Sequence, residues 1–439
     1  MKPAKIAYLL MFLGLLLMPF STPPRGMESF TLALFPWLAN VGVFHFGLPF
    51  LGLGAVLFTI ILLAEKERSA PSALAPLVVA TLYLLCIVCF TLVSDDVLVS
   101  AVRAGVNVVG FLVFFAILKS GTMATKEGAR TLIGFIRAFI ISGTVMAGYF
   151  IINLAFQGVE HEQTELFSER FVGGMMGLPW GASNTIASTL LLPLVFSFAY
   201  FELTKRKLLF GISSAAMVAA ILLTVSRNGL ACLILFCVLY WVFITRSRIL
   251  LLVLLTGATL IVVNGLAEGG SIDFLLQSRF GDENDLATFN GRLDLWSIFY
   301  RHIATNPFDP VGYYGSLEVF EISPHNWLLV TYVEMGPVGL ITAGSFFGYA
   351  LFCAFRAGRQ NAAIAVKAAR VLFTGITVIF LNIQFEDPEF TQAYIIYYWV
   401  FMGLLFSLSA KRVGRAPARF PIRRVLTRPL TSPADNMSA

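Results

Sequence analysis

The chain has 439 residues, of which 58% are hydrophobic and only 13% are charged, and its mean hydropathy is +0.81. A soluble core of this size could not bury so much apolar surface, and so little charge would not keep the remainder in water. The composition excludes a soluble globular protein and predicts an all-α, polytopic integral membrane protein.

A membrane-spanning helix needs roughly 20 predominantly apolar residues, and about twelve runs of the sequence are candidates. They lie at 6–20, 48–64, 72–93, 97–118, 131–156, 184–203, 208–225, 229–245, 249–266, 326–355, 371–385 and 394–410. The first run follows the basic stretch MKPAK without a small-residue cleavage site after it. We therefore interpret it as an uncleaved helix rather than a signal peptide.

Positive charge is distributed unevenly over the segments between these runs. If the amino terminus is cytoplasmic, most of the 31 lysines and arginines fall inside and most carboxylates fall outside, as the positive-inside rule requires. Both termini are then predicted to be cytoplasmic. Although the net charge is +6, the basic tail at 411–439 is better explained by anionic lipid headgroups than by nucleic acid.

Three of the predicted external loops are long, at 21–47, 157–183 and 267–325. We assign 1–410, including the large loop before the tenth run, to one transmembrane domain. Within that loop we predict an amphipathic helix that begins near Thr288 or Asn290 and ends near Asn306, before a proline. Its apolar face would hold Leu293, Trp296, Phe299 or Tyr300, and Ile303. Two positions remain open for this helix, along the outer membrane boundary or packed on the bundle.

Six arginines fall on the outer side against the charge bias, and an arginine among carboxylates there suits an anionic ligand. They are Arg25, Arg170, Arg227, Arg279, Arg292 and Arg301. Arg227 stands in the tight connection between the seventh and eighth runs, where its planar guanidinium would be held rigidly and suits a diphosphate. The alternative is that Arg227 caps the preceding helix or pairs with a loop carboxylate.

Arg292 is predicted to open the amphipathic helix, against the helix dipole and beside backbone N–H groups that attract anions. We therefore expect it to be a second phosphate-binding residue. Arg279 and Arg170 are weaker candidates. The glycine-rich loop around Arg170 allows close approach to a ligand, but pairing with a neighbouring glutamate is the simpler interpretation.

His325 is one of only four histidines, and it stands at the start of the tenth run after Ser323 and Pro324. A helix N-terminus disfavours the imidazolium, which would leave a neutral ring able to act as a general base. Asn326 beside it is predicted either to cap the helix or to orient a sugar hydroxyl. The alternative for His325 is an interfacial histidine without a function.

Neither metal binding nor a cofactor is predicted. The stretch GDENDLATFNG lacks the alternating ligand spacing and the terminal glutamate of a calcium loop. Glu334 is an intramembrane carboxylate and so a functional candidate. It lies nine residues beyond His325, about half a rotation away, so the two would not pair unless Gly336 and Pro337 bend the helix.

Five short motifs follow one another along the second half of the chain. SRNG joins two apolar runs, NGRLDLW and NPFDPVGYYG lie in the long loop, and PHNWLL with MGPVGL opens the tenth run. Their order resembles the O-antigen ligase and O-antigen polymerase superfamily (Wzy_C-like) of bacterial envelope glycosyltransferases. The resemblance covers about residues 173–355, and the layout of about twelve helices extends it along the chain.

The resemblance implies a metal-independent, inverting transfer of a saccharide from undecaprenyl diphosphate, on the periplasmic face of the bacterial inner membrane. It implies that His325 deprotonates the acceptor hydroxyl and that Arg227 and Arg292 bind the diphosphate. The implied partners are this donor, a lipid A core or growing glycan as acceptor, and membrane lipids. Members commonly have a shorter Pro-Gly-Gly pattern in place of NPFDPVGYYG, which predicts a difference in acceptor recognition.

Ligases transfer a finished polymer to a lipid A core sugar, whereas O-antigen and exopolysaccharide polymerases lengthen the polymer itself. A single large external loop favours a ligase, because polymerases often have two. A secondary transporter also fits twelve helices, but it predicts repeated halves and polar residues at mid-membrane. This chain has its polar residues concentrated on the predicted outer face.

Overall fold

The computed structural model describes residues 3–20, 47–64, 73–122, 126–160, 183–224, 226–245, 292–359, 363–386 and 391–410. Every regular element within these ranges is helical. In chain order they are α1 (Pro3–Leu17), α2 (Gly47–Ala64), α3 (Leu74–Thr91), α4 (Val97–Thr122), α5 (Lys126–Glu160), α6 (Ser183–Thr204), α7 (Lys207–Leu223), α8 (Arg227–Tyr240), α9 (Arg292–Thr305), α10 (Ser316–Phe320), α11 (Trp327–Gly358), α12 (Ala363–Ile383) and α13 (Gln392–Ala410). A 3₁₀ turn, Met18–Phe20, follows α1, and a π turn, Trp241–Thr245, follows α8.

The helices confirm the prediction of an all-α polytopic membrane protein. Within the described ranges, 7 helices are long and apolar enough to cross a membrane, by length and composition. Shorter apolar helices lie at Ala4–Leu17, Leu48–Ile61, Lys207–Leu223 and Ala393–Ser409. The predicted run at 249–266 and the basic tail lie outside the described residues, so the number of twelve spans stays a prediction.

Helices α6 and α13 form the centre of the bundle. The apolar window of α6 is 83% buried, whereas the windows of α3 and α11 are 33% buried, so the latter two leave most of their surface free to face lipid. Helix α13 packs on α4, α6 and α11. Its Trp399 is fully buried, with the ring centroid 5.7 Å from that of Phe114 and 5.3 Å from that of Phe346. Aromatic pairs at these separations stabilise the contacts between the helices.

Helix α11 is kinked one third of the way along its length. Gly336 has φ 63° and ψ −165°, outside the helical range, and Pro337 has no N–H to donate to the carbonyl four residues earlier. That carbonyl, on Val333, instead accepts a hydrogen bond of 3.0 Å from the N–H of Val311. The loop after α9 therefore fills the kink, as expected where a proline interrupts the helical ladder.

The same loop is fixed to α3 and α4 through Tyr313. Its N–H donates to the Phe90 carbonyl over 2.9 Å, and its hydroxyl accepts from Asn107 Nδ2 over 2.9 Å. Trp399 Nε1 donates to Asn107 Oδ1, also over 2.9 Å. Gly312, with φ 90°, lies so close to the backbone of Ser94 that a Cβ would meet it at 2.3 Å. The motif NPFDPVGYYG thus packs between three helices, α3, α4 and α11.

Candidate functional site

The candidate site lies where the chain leaves α12, at Glu386. The Glu386 side chain is only 5% exposed. Asn184 Nδ2 of α6 donates to Oε2 over 2.9 Å, Arg292 Nη2 of α9 is 3.5 Å from Oε2, and His325 Nδ1 is 3.7 Å from Oε1. A carboxylate this buried needs charged or hydrogen-bonded partners. Glu386 therefore joins α6, α9 and the segment before α11 at one point.

His325 lies immediately before α11 and not within it. The helix begins at Trp327, and Asn326 is its N-cap, with Oδ1 accepting from the N–H of Leu329 over 3.1 Å. The expectation that His325 begins the helix is thus wrong by two residues. Its backbone has φ 49°, in the left-handed region. The imidazole is oriented by contacts outside the helix, so the argument from the first helical turn does not apply to it.

The imidazole of His325 presents its two nitrogens to different surroundings. Nδ1 is buried and has no hydrogen bond among the described residues, but it is within ion-pair distance of Glu386. The whole side chain is 40% exposed although Nδ1 is buried, so the exposed surface belongs to the other atoms of the side chain. Hydrogen bonds in catalytic sites are often long before the substrate binds. This arrangement suits a ring that accepts a proton at Nε2 while a carboxylate faces Nδ1.

Arg292 is the first residue of α9, as the sequence predicted, and its side chain is only 14% exposed. Burial lowers the pKa of its guanidinium from the ordinary value, Glu386 acts in the opposite direction, and the like charge of Arg227 lowers it again. The two arginines are therefore close enough to repel one another. Among the residues that the structure describes here, two interacting guanidiniums have one carboxylate near them, and an anionic ligand would offset their repulsion.

Arg227 is the first residue of α8, and the sequence around it fixes the helix start. Ser226 is the N-cap, and its Oγ accepts from the N–H of Gly229 over 3.0 Å. The same hydroxyl donates to Asn184 Oδ1 over 2.7 Å. Since Asn184 Nδ2 binds Glu386, a hydrogen-bonded chain leads from the cap beside Arg227 to the carboxylate.

Two carbonyls at the end of α12, on Asn382 and on Gln384 just after the helix, accept hydrogen bonds from the asparagines that follow two predicted site residues. Asn228, next to Arg227, donates from Nδ2 to the Asn382 carbonyl over 3.0 Å. Asn326, next to His325, donates from Nδ2 to the Gln384 carbonyl over 3.1 Å. The final carbonyls of a helix have no partner within the helix, so they are free to accept. The end of α12 thus contacts the sequence neighbours of both Arg227 and His325.

The structure brings together three of the predicted site residues, Arg227, Arg292 and His325, and places Asn326 beside them. Asn326 caps α11 and contacts α12, so its proposed role towards a sugar hydroxyl remains a prediction. Arg170 and Arg279 lie outside the described residues. Arg301 faces away, with its guanidinium on Ser297. Glu334 is buried deeper in the bundle, where its Oε1 accepts from Ser316 Oγ over 2.6 Å.

The structure also corrects the predicted face of α9. Phe299 is fully buried, but Leu293 and Tyr300 are 45% and 57% exposed. Trp296 and Phe299 lie on the inner face as predicted, but Arg292 and not Leu293 continues that face, with spacings of four and three residues. Of the two positions left open for α9, this face is therefore packed on the helix bundle. The packing brings Arg292 to Glu386.

Sequence reasoning missed Glu386 and Asn184. Glu386 stands in a polar stretch, QFEDPEF, that reads as an ordinary loop between two spans. Asn184 stands at the start of an apolar run, where an asparagine is a common helix cap. The sequence did contain one signal: Glu386 and Asn184 are both polar residues at the same predicted end of the bundle as His325.

A family model described as O-antigen ligase (Wzy_C) matches residues 212–344. The matched range contains Arg227, Arg292 and His325, and Asn184 and Glu386 lie on either side of it. No curated protein gives a match to the chain. The resemblance predicted from the motifs is thereby confirmed over this part of the chain, and the match indicates an O-antigen ligase-like membrane glycosyltransferase.

Proposed function

We propose that this protein is a member of the O-antigen ligase superfamily and that it transfers a saccharide from undecaprenyl diphosphate to an acceptor hydroxyl. The reaction takes place at the end of the bundle that carries Glu386, which we assign to the periplasmic face of the bacterial inner membrane. The acceptor we favour is a sugar of the lipid A core. Growing glycan is the alternative acceptor, and it would make the protein a polymerase.

The observation that carries the proposal is the position of Glu386 between Arg292 and His325. Glycosyl transfer from a diphosphate needs a base for the acceptor and positive charge for the leaving group. Both are found within ion-pair distance of one buried carboxylate. Their elements are far apart in the sequence, so their meeting is a property of the fold.

In the first part of the proposed reaction, Nε2 of His325 takes the proton of the acceptor hydroxyl. The oxygen attacks the anomeric carbon from the side opposite the diphosphate, so the new C–O bond forms as the old one breaks, with inversion of configuration. Glu386 stabilises the imidazolium that results, because its Oε1 lies on the Nδ1 side of the ring. The carboxylate itself stays ionised, as in a serine protease triad.

The leaving diphosphate gains negative charge as the glycosidic bond breaks. Arg292 and Arg227 supply fixed positive charge at this point, and a guanidinium binds phosphate oxygens in a bidentate manner. Arg292 is mostly buried, so its field is screened less than that of a surface arginine. Positioning and electrostatics from these residues suffice for the proposed step, and it therefore proceeds without a metal ion.

Reconstitution with a lipid-linked saccharide and lipid A core tests the proposal. A ligase gives one discrete product, glycan attached to the core, whereas a polymerase gives a lengthening ladder on the lipid carrier. Addition of a chelator is expected to leave the rate unchanged. Failure to consume any undecaprenyl diphosphate saccharide, with either acceptor, would refute the proposal.

The general base is tested by His325→Ala, which is expected to abolish transfer while the protein remains folded. His302→Ala is the matched control. His302 lies on α9 beside Phe320, and among the described residues it makes no contact with Glu386. It should keep transfer. If His325→Ala transfers at the parent rate, His325 is not the base.

A further inference from the structure

The peptide group that leads into His325 is held at both edges. The Pro324 carbonyl accepts a hydrogen bond of 2.8 Å from Trp296 Nε1 of α9. The His325 N–H, on the opposite side of the same trans peptide, donates to Ser323 Oγ over 3.2 Å. Because a peptide group is planar, fixing its oxygen and its N–H fixes the orientation of the whole plane.

That orientation matters because His325 adopts a conformation that L-residues disfavour. Its φ of 49° is in the left-handed region, where the Cβ crowds the following carbonyl. Such a conformation persists only where the surroundings determine it on several sides. After His325, Asn326 is held by the Leu329 N–H and by the Gln384 carbonyl. Before it, Trp296 and Ser323 provide the equivalent restraint.

We infer that Trp296 is a positioning residue: its indole N–H fixes the Pro324–His325 peptide plane and thereby holds the imidazole against Glu386. This inference rests on the proposed function, since it assigns Trp296 a part in orienting the general base. Trp296 does not contact the reacting atoms. It acts through the backbone of the residue before His325.

The position of Trp296 on α9 gives the restraint a second effect. Trp296 follows Arg292 by one helical turn, so both side chains leave the same face of α9. Arg292 contacts Glu386, and the Trp296 ring packs near that of Phe385, with centroids 6.3 Å apart. The helix that delivers the arginine to the carboxylate therefore also sets the backbone of the histidine. The packing of α9 therefore positions both the His325 imidazole and the Arg292 guanidinium.

The test is Trp296→Phe, which keeps an aromatic ring beside Phe385 and removes the N–H. With both substrates saturating, kcat is expected to fall about tenfold, because a buried carbonyl loses its donor and the base loses a restraint. The KM for the lipid-linked donor should stay within about twofold, because Arg292 remains seated. The matched control is Trp399→Phe, which also removes a buried indole hydrogen bond, to Asn107. It should lower the temperature of unfolding and leave kcat unchanged.

A double-mutant cycle separates positioning from general destabilisation. Ser323→Ala removes the other restraint on the same peptide plane, so its effect on kcat should not add to that of Trp296→Phe. With Trp399→Phe its effect should be additive. Additive behaviour of the Trp296 and Ser323 substitutions, or an equal loss of kcat in Trp399→Phe, would overturn the inference. If Trp296→Phe does not fold, Ser323→Ala alone must still lower kcat at unchanged donor KM.

These outcomes are distinct from failure of the proposed function. If the parent protein transfers no saccharide, or if His325→Ala transfers it at the parent rate, the proposed function fails, and the role of Trp296 fails with it. If transfer depends on His325 but Trp296→Phe keeps the parent kcat, only the positioning role is wrong.

Discussion

Glu386→Gln removes one charge from the centre of the candidate site and changes little else. Glutamine has nearly the same volume, and its side-chain oxygen can still accept from Asn184 Nδ2, which donates over 2.9 Å in the parent. The substitution removes the negative charge that faces His325 Nδ1 at 3.7 Å and Arg292 Nη2 at 3.5 Å. Any loss of rate therefore reports on electrostatics and not on packing.

The size of the effect follows from the distance to the imidazole. Two unit charges separated by 3.7 Å attract by about 4 kcal/mol at an effective dielectric constant near 20. The His325 side chain is 40% exposed, so we expect water to reduce this to about 2 kcal/mol. If that attraction develops only as His325 becomes an imidazolium, kcat should fall roughly 30-fold.

The assay is transfer of saccharide from the lipid-linked donor with both substrates saturating, so that kcat is measured apart from KM. Glu202→Gln is the matched control. Glu202 is also buried, at 3% exposure, and pairs with Lys205 and Tyr240 away from the site. It should leave kcat within about twofold. A parent-like kcat in Glu386→Gln would refute the view that this carboxylate stabilises the imidazolium.

Further substitutions test the arginine and the kink. Arg292→Lys should raise the KM for the donor and lower kcat, together costing about tenfold or more in kcat/KM, since an ammonium lacks the planar fork. Arg301→Lys, on the exposed side of the same helix, should leave both unchanged, and equal effects would contradict the role of Arg292. Gly336→Ala should destabilise the protein by about 1–3 kcal/mol, because φ 63° with ψ −165° is nearly restricted to glycine. Gly344→Ala, where nothing lies within 4 Å of an added Cβ, should not lower the unfolding temperature, and an equal decrease in both variants would exclude backbone strain as the cause.

The parts of the site that sequence reasoning identified are those marked by local context. Arg227 and Arg292 run against the charge bias, and His325 follows a proline at the start of an apolar run. Each signal lies within a few residues of the side chain concerned. The helices were likewise predictable, because length and apolar composition alone define a membrane-spanning segment.

The parts that it missed depend on contacts between distant segments. Glu386 lies 61 residues after His325 and 202 residues after Asn184 in the sequence. No spacing within one helix could therefore relate these residues. The buried face of α9 was partly mistaken for a similar reason. Leu293 is more apolar than Arg292, but the partner available to that face is the carboxylate of Glu386, just after α12, and the charged residue therefore lies on the inner side.

The family match at 212–344 does not coincide with a physically separable catalytic unit. A fragment limited to that range would keep both guanidiniums and the imidazole, yet it would lack the Glu386 carboxylate that follows α12 and the Asn184 amide of α6 that binds it. Grafting only this segment into a related protein would therefore leave the grafted cations dependent on whatever anion the host provides. We expect a chimera of two related proteins to be active only when the residues that flank the matched segment are transferred together with it.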